Sequence, residues 1–345
     1  LQDGKNPSRL VELYERRVEL AEAGESDLRY ELLVKAGAVL EGEVKDRSRA
    51  IEVLGQALAA RPGDATVLAS LNRMYRAEEL WPDLLDNLRL QASTCVRGDE
   101  RVTLRKEIAG ILEEKLESHE DALEVYRQVL DEAPDDAAAL SAVRAIGEKH
   151  EELRDSVSSI LVPMLRLARR YDELVEILEL RLSAEEEPLQ KVSTLRNIAD
   201  VYEHQLNRPE LALEAILRAL AADASDTGLF GEAERLATAS DRWRRYVDAL
   251  QELAGTTYDS ELALALYQRI GQACEERLRE PKRAVAAFCA AVEQGGDRPD
   301  LLAALDRLYV GLDDKAALLD VLDRRTMNAD SPAEQAELLT RMARL

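Results

Sequence analysis

A thirty-residue pattern that recurs along the chain constrains the fold more than any other feature. In its clearest copy, residues 107–136, two segments flank the turn at 117–120, and Pro134 ends the second segment. Apolar residues inside each segment recur at i, i+3, i+4 and i+7, which is the spacing of an amphipathic helix. The pattern returns at intervals of 72, 90 and 72 residues, with a column of small residues at Ala50, Ala122, Ala212 and Ala284.

A second hairpin occupies each interval and is marked by Trp81, Tyr171 or Trp243, with Lys315 at the fourth equivalent position. The repeating unit is therefore a pair of helical hairpins, each about 36 residues long, and a period of this size along a whole chain indicates a solenoid. We expect an all-α fold of about eight hairpins with a half-repeat at each end. The hairpins span residues 28–60, 64–94, 100–132, an irregular unit that ends near 183, then 188–222, 226–254, 259–294 and 298–328.

The irregular unit holds 18 residues more than its siblings, around residues 147–171. Eighteen residues correspond to about 27 Å of helix, so the excess is either one added helix or extensions of two. It is a tolerated insertion, or it is a bend or a contact element that exposes Ile160, Leu161 and Val162.

The two ends are half-repeats, a lone second helix at about 9–23 and a lone first helix at 333–345. Natural arrays end in atypical repeats with a polar outer face. Neither end has such a cap, so we expect residues 1–345 to be one array and a segment of a longer one.

Once aligned, the hairpins resemble tetratricopeptide repeats. The residues that carry the resemblance in the clearest copy are Ala109, Leu112, Ala122, Tyr126, Val129 and Pro134. The match is degenerate, because the first-position Trp is missing, alternate hairpins carry Leu or Tyr for the small Ala, and one unit carries the insertion. The alternative is a half-a-tetratricopeptide or HEAT-like variant. The resemblance implies a right-handed α-α superhelix whose first helices line a concave groove that docks peptides or folded proteins. The chain is acidic and has 37 Arg but only 9 Lys. In this composition and in its doubled repeats it is similar to the arrays of large bacterial scaffold proteins.

The net charge of −22 argues against a nucleic-acid partner, which requires a basic surface. It also disfavours anionic lipid. Basic proteins or cationic peptides are the expected partners, unless the charge serves solubility alone.

One exposed first-helix column is acidic in all four copies, at Glu41, Glu113, Glu203 and Glu275. The intervening hairpins supply Arg73, Arg235 and Arg307, with Arg144 one place off. The glutamates either pair with these arginines across adjacent helices or form a ladder that captures basic side chains of a partner. The Lys, Asn and Arg clamp that some tetratricopeptide proteins use for a chain terminus is incomplete, although Lys106 and Arg196 lie near its positions.

No sequence motif points to catalysis, a cofactor or a metal, so we predict a protein that is not an enzyme. Cys95, Cys274 and Cys289 form no disulfide framework, and Cys274 occupies a core column. No apolar run is long enough to span a bilayer, and reduced thiols favour the cytoplasm. No feature specifies an oligomeric state.

The leading hypothesis is a scaffold that binds a protein or peptide partner in the groove through charged contacts. The alternatives are a structural spacer and a regulatory arm of a larger multidomain protein. Unpaired glutamates would favour the scaffold, and glutamates paired with the arginines would favour the spacer.

Overall fold

The computed structural model describes residues 6–21, 25–329 and 331–345. The chain divides into two compact units, Leu1–Met164 and Leu165–Leu345. The described residues form 19 α-helices and no strand, so the predicted all-α class is confirmed. That residues 1–345 form a single array stays a prediction.

The helices of the first unit match the predicted hairpins closely. A lone second helix comes first, as expected, and three regular hairpins follow it. The helices are α1 (Pro7–Leu20), α2 (Ser26–Val39), α3 (Arg47–Ala60), α4 (Ala65–Ala77), α5 (Trp81–Thr94), α6 (Gly98–Glu114), α7 (His119–Glu132), α8 (Ala137–Lys149) and α9 (Arg154–Leu167), of which α9 crosses the division between the units.

The second unit continues with regular hairpins and closes on a lone first helix. Its helices are α10 (Tyr171–Leu182), α11 (Pro188–Asp200), α12 (Pro209–Ala222), α13 (Thr227–Ser240), α14 (Trp243–Thr256), α15 (Ser260–Ala273), α16 (Pro281–Gly295), α17 (Pro299–Leu312), α18 (Lys315–Met327) and α19 (Pro332–Met342). None of the described helices is long and apolar enough to cross a membrane.

Eight non-glycine residues in the described part of the chain adopt left-handed backbone conformations, with φ between 52° and 63°. Each lies in the short turn between the two helices of one hairpin, where this conformation reverses the chain sharply. They are Lys45, Glu79, Glu117, Arg169, Asn207, Asp241, Arg279 and Asp313. Eight such turns confirm the predicted eight hairpins.

Three first helices end in a wider π-type turn, Leu40–Val44, Val201–Gln205 and Cys274–Leu278. Helix α6, the corresponding first helix of the remaining copy, has no π-type turn. A hydrogen bond that spans six residues nevertheless closes the turn after it, from the Ser118 amide to the Leu112 carbonyl at 2.9 Å, as in the other three copies. These turns occur at the same position of every doubled repeat, just after the first helix. They carry three of the four glutamates of the acidic column.

The predicted small-residue columns form the contact between the two helices of each hairpin. All four alanines of the column that begins at Ala50 are fully buried. A Cβ atom on Gly37 would lie 2.5 Å from the Leu54 side chain, and one on Gly271 would lie 2.7 Å from the Phe288 ring. Glycine is therefore required where the facing side chain leans onto the first-helix backbone.

The 18 extra residues of the irregular unit add one helix. Helix α8 keeps the entry features of a first helix, because Asp136 caps it and bonds Lys106 of α6. Helix α9 keeps the exit features, because the left-handed Arg169 follows it and its Arg166 bonds Asn197 of α11 at 2.8 Å. In the irregular unit, α8 therefore makes the contact to the preceding first helix and α9 makes the contact to the following one.

The expectation that Ile160, Leu161 and Val162 are exposed was wrong for the first two. Ile160 and Leu161 are buried, and Val162 is only half exposed. The reason is helical periodicity, since the buried residues Val157, Leu161 and Leu165 recur at intervals of four on one face of α9. The insertion therefore does not present the predicted apolar contact surface.

The tryptophans at the start of two second helices contact the neighbouring hairpins. Trp81 and Trp243 are half-buried. The Lys115 ammonium lies 5.5 Å from the centre of the Trp81 ring, and the Arg277 guanidinium lies 5.1 Å from that of Trp243. Each cation belongs to the next hairpin, so these contacts link neighbouring hairpins through cation–π attraction.

Candidate protein-binding face

The acidic column lies at the ends of the first helices, beside the following first helix. Glu41, Glu203 and Glu275 occupy the three π-type turns, whereas Glu113 is in the last turn of α6. Two chain reversals separate consecutive first helices, so these helices run in the same direction. An arginine 32 residues after Glu41, Glu203 and Glu275 therefore lies level with the glutamate on the next first helix, whereas Arg144 is only 31 residues after Glu113.

Arginines engage three of the four glutamates through two hydrogen bonds each. In the first unit, Nε and Nη2 of Arg73 lie 2.7 and 2.8 Å from the carboxylate oxygens of Glu41. In the second unit, the same atoms of Arg307 lie 2.9 Å from those of Glu275. Arg235 bonds Glu203 through both Nη atoms, with 2.7 Å from Nη2 to Oε2. The bidentate geometry fixes each guanidinium in one orientation.

Exposure within these pairs is unequal. The glutamate side chains are 23%, 19% and 21% exposed, whereas the arginine side chains are 64%, 55% and 64% exposed. Hydrogen bonding from Arg235 also lowers the pKa of Glu203, so its carboxylate stays charged. The outer surface of each pair is therefore the guanidinium, so in these three pairs the glutamates are paired with arginines, which is one of the two arrangements that the sequence left open.

Glu113 differs from the other three glutamates. It accepts a hydrogen bond from the Tyr126 hydroxyl at 3.2 Å, and burial raises the pKa of Tyr126 so that the hydroxyl stays protonated. Arg144 bonds Glu148, one turn along its own helix, at 3.2 Å. The column is thus closed by groups of this chain, and its use for a partner stays a prediction.

A second set of contacts braces consecutive first helices about two turns earlier. Lys106 bonds Asp136 at 2.7 Å, and Arg196 bonds Asp226 at 2.8 Å and Glu232 at 2.9 Å. At the equivalent place Gln268 bonds Asp300 at 2.9 Å. These contacts, rather than a terminal-carboxylate clamp, account for Lys106 and Arg196. Each bridge fills the space between two first helices with a long polar side chain.

The α2–α4 junction has no long polar side chain at this position, and among the described residues its only contact of this kind comes from Tyr30, one turn earlier on α2. Val34 stands where the other copies have Lys106, Arg196 and Gln268. Asp64, which would receive such a side chain, caps α4 through the amides of Thr66 and Val67, and a hydrogen bond from Tyr30 lowers its pKa. The space between the helices is consequently open.

The opening is a cleft of about 470 Å³, which we call the α2–α4 cleft. Val34, Ala38, Leu54 and Val67 form its apolar lining. Small residues keep it open, since Gly42 and Ser70 stand where the α11–α13 junction has His204 and Glu232. The Glu41–Arg73 pair lies at the end toward which both helices run. The sequence prediction missed this cleft, although Val34 in an otherwise polar column was a readable signal.

Two histidines of the first unit are in contact. The ring centres of His119 and His150 lie 3.9 Å apart, with the planes tilted by 34°. They join the start of α7 to the end of α8 in the first unit. Within the part of the chain that the structure describes, no group of three or more His, Cys, Asp or Glu residues could hold a metal ion.

The comparisons with known proteins yield structural neighbours only. No protein-family model matches the sequence, and no curated protein matches it. The Naa15/Naa10 complex bound to HypK-THB is similar at 15% identity and a TM-score of 0.29, over 92% of this chain and 58% of the solved chain. This chain thus spans a little over half of that neighbour.

Two bacterial structures are similar over most of their own length. A tetratricopeptide repeat protein from Parabacteroides merdae has 16% identity and a TM-score of 0.26, over 81% of this chain and 98% of the other. The C-terminal part of a TPR repeat-containing protein from Cytophaga hutchinsonii has 12% identity and a TM-score of 0.24, over 79% and 98%. With its own eight hairpins and their shared columns, the chain has a tetratricopeptide-like helical repeat fold.

Proposed function

We propose that this chain is a protein-interaction scaffold and that the α2–α4 cleft receives part of a partner protein. The observation that carries the proposal is the cleft itself, an open apolar space of about 470 Å³ at a junction whose equivalents are closed by polar bridges. Exposed apolar concavities with a few fixed polar groups are the usual form of a recognition site.

The Glu–Arg pairs have a different role in this proposal. Each pair joins two consecutive first helices, so it holds the rows of helices in register. Exposed ion pairs contribute only about 0–1 kcal/mol each, and their bidentate geometry chiefly limits movement. In this proposal the Glu–Arg pairs fix the positions of neighbouring first helices, and the partner binds in the α2–α4 cleft.

A structural spacer is the second candidate. The observation that favours it is the closed state of the acidic column, because three of its four carboxylates bind arginines of the same chain. A spacer needs braced helices and no open recognition site. The cleft is the feature that this alternative leaves unexplained.

The test closes the cleft by introducing the ion pair that the chain has at the equivalent α11–α13 junction. Val34→Arg with Ser70→Glu copies Arg196 and Glu232 and places the new guanidinium beside Asp64. Gln56→Glu with Ala59→Arg adds the same two charges at exposed positions of α3 and serves as the matched control. A photo-crosslinking amino acid replaces the exposed Glu43, which follows Gly42 of the cleft, in all three proteins.

Irradiation in bacterial cells, followed by mass spectrometry, measures the result. We expect the same identified protein to crosslink to the parent and to the control and to be lost from the closed-cleft variant. Crosslinks that survive closure of the cleft would contradict a role for the cleft. The absence of any adduct with all three proteins would favour the spacer.

A further inference from the structure

We infer that the α2–α4 cleft recognises an apolar side chain that is followed directly by a carboxylate in a segment of a partner protein. This inference rests on the proposed binding function and adds the chemistry of the partner. It follows from two independent observations, the nature of the lining and the state of the charged pair at its end.

The lining selects an apolar side chain. Leu54 and Val67 are buried beneath the cleft, and Val34 and Ala38 are partly or fully exposed at its wall. At the α11–α13 junction, Arg196 and Asp200 occupy the positions of Val34 and Ala38. An apolar side chain that enters the cleft removes apolar surface of both partners from water, which is favourable in proportion to the area covered.

The hydroxyl groups of Thr66 and Ser70 lie on the α4 side of the same space. Each hydroxyl can donate to a carbonyl or accept from an amide of a peptide backbone. The cleft therefore combines an apolar wall on α2 with hydrogen-bonding groups on α4. That combination suits a peptide segment better than a hydrocarbon ligand.

The charged pair selects the neighbouring side chain. Among the described residues that line the cleft, Arg73 and Glu41 alone are charged. Both carboxylate oxygens of Glu41 accept from Arg73, so neither is left open for a basic side chain. Arg73 uses Nε and Nη2 for Glu41, and its Nη1 has no hydrogen bond among the described residues.

The exposed guanidinium is consequently the group that a partner meets. Glu41 already holds it in place, so a second carboxylate would bind without first ordering the arginine side chain. A lysine or arginine at the same point would face this cation. On a chain with a net charge of −22, Arg73 is a local positive site that selects an acidic residue next to the apolar one.

The test uses three capped peptides that differ at single positions. They are Ac-Gly-Ser-Leu-Asp-Ser-Gly-NH2, its Asp-to-Lys analogue and its Leu-to-Ser analogue. Each is titrated to about 10 mM into the full chain, and the NMR signals of the Val34, Ala38 and Val67 methyl groups report binding, since ligands of this size bind weakly. The closed-cleft variant and Arg73→Gln are titrated in parallel.

We expect the Leu-Asp peptide to bind the parent at least about fivefold more tightly than either analogue does. We expect no binding of this peptide to the closed-cleft variant. Arg73→Gln frees the Glu41 carboxylate, so its preference should turn toward the Leu-Lys peptide. Equal or tighter binding of Leu-Lys by the parent, or no methyl shift with any peptide, would overturn the inference. A partner that crosslinks in cells while the peptides show the opposite preference would leave the proposed function standing and refute only this chemistry.

Discussion

Asp306 of α17 is buried, and both of its carboxylate oxygens accept hydrogen bonds from Arg341 of α19, at 2.6 and 2.7 Å. Arg325 of α18 also bonds this carboxylate, at 2.5 Å. The lone first helix at the end of the chain is thus tied to the preceding hairpin through one buried charge. Its remaining apolar contact centres on Leu338, Leu318 and Leu322.

Asp306→Ala should therefore loosen α19 selectively. Because both arginines are partly exposed and can be rehydrated, we expect a loss of about 1–3 kcal/mol in the free energy of unfolding. Hydrogen exchange should accelerate in α19 more than in α15. Asp320→Ala, at an exposed position on α18, is the control and should change stability by less than about 0.5 kcal/mol. Equal effects of the two substitutions would refute the tie.

The contact between Gly37 and Leu54 predicts opposite effects of two glycine substitutions. Gly37→Ala places a methyl group 2.5 Å from Leu54 and should destabilise the fold by about 1–3 kcal/mol. Gly55→Ala lies inside α3, and the added methyl group would meet nothing outside the nearby backbone of its own helix within 4 Å, so it should stabilise the fold by about 0.5–1 kcal/mol. Urea unfolding of both variants measures the difference. A destabilising Gly55→Ala would show that α3 is more crowded than the structure indicates.

Asp136 predicts part of the acid sensitivity. The hydrogen bond from Lys106, aided by the Ala139 amide, lowers the pKa of this carboxyl in the folded state. The unfolded chain then binds a proton more readily, so the contribution of Asp136 is complete above the ordinary value of about 4 and is lost as pH falls through the lowered pKa.

Asp136→Asn should accordingly flatten the dependence of unfolding free energy on pH between about pH 5 and 2. Asparagine also caps helices, so α8 should remain formed. Lys106→Met should flatten the same curve, because it removes the largest cause of the shift. A curve identical to that of the parent in both variants would rule out this linkage.

The Glu41–Arg73 pair should contribute little to stability. A double-mutant cycle with Glu41→Gln and Arg73→Gln is expected to give a coupling energy of at most about 1 kcal/mol, weakened by salt, since the guanidinium is largely exposed. A coupling above about 2 kcal/mol would mean that the column is a major source of stability. The cycle requires only thermal or urea unfolding of four proteins.

The closed-cleft variant, Val34→Arg with Ser70→Glu, should fold with nearly the stability of the parent. The equivalent bridge already exists between Arg196, Asp226 and Glu232, and the aliphatic part of the new arginine can cover the surface that Val34 covers. We expect a change within about 1 kcal/mol and an unchanged circular dichroism spectrum. A larger loss would mean that the α2–α4 junction cannot take the geometry of α11–α13.

The sequence predicted the hairpins to within a few residues, including α11 from Pro188 and the end of α12 at Ala222. It also predicted the buried columns around Ala50 and the extra length of the irregular unit. These features are local, because periodicity and small residues at fixed spacing determine which face of a helix can be buried. Exposure of Ile160 and Leu161 was wrong, because the hydrophobic face of an added helix is buried like that of any other helix.

Only the tertiary structure decided which side chains of the charged column are exposed and where a cleft opens between helices. The sequence placed Glu41 and Arg73 level with each other, but the unequal exposure of the two side chains depends on how α2 and α4 pack. The cleft likewise depends on Val34, Gly42 and Ser70 meeting across two helices. Local pattern thus determined the repeat, whereas contacts between residues some 30 positions apart determined which charged groups are exposed, because burial and ion pairing belong to the packed helices and not to either helix alone.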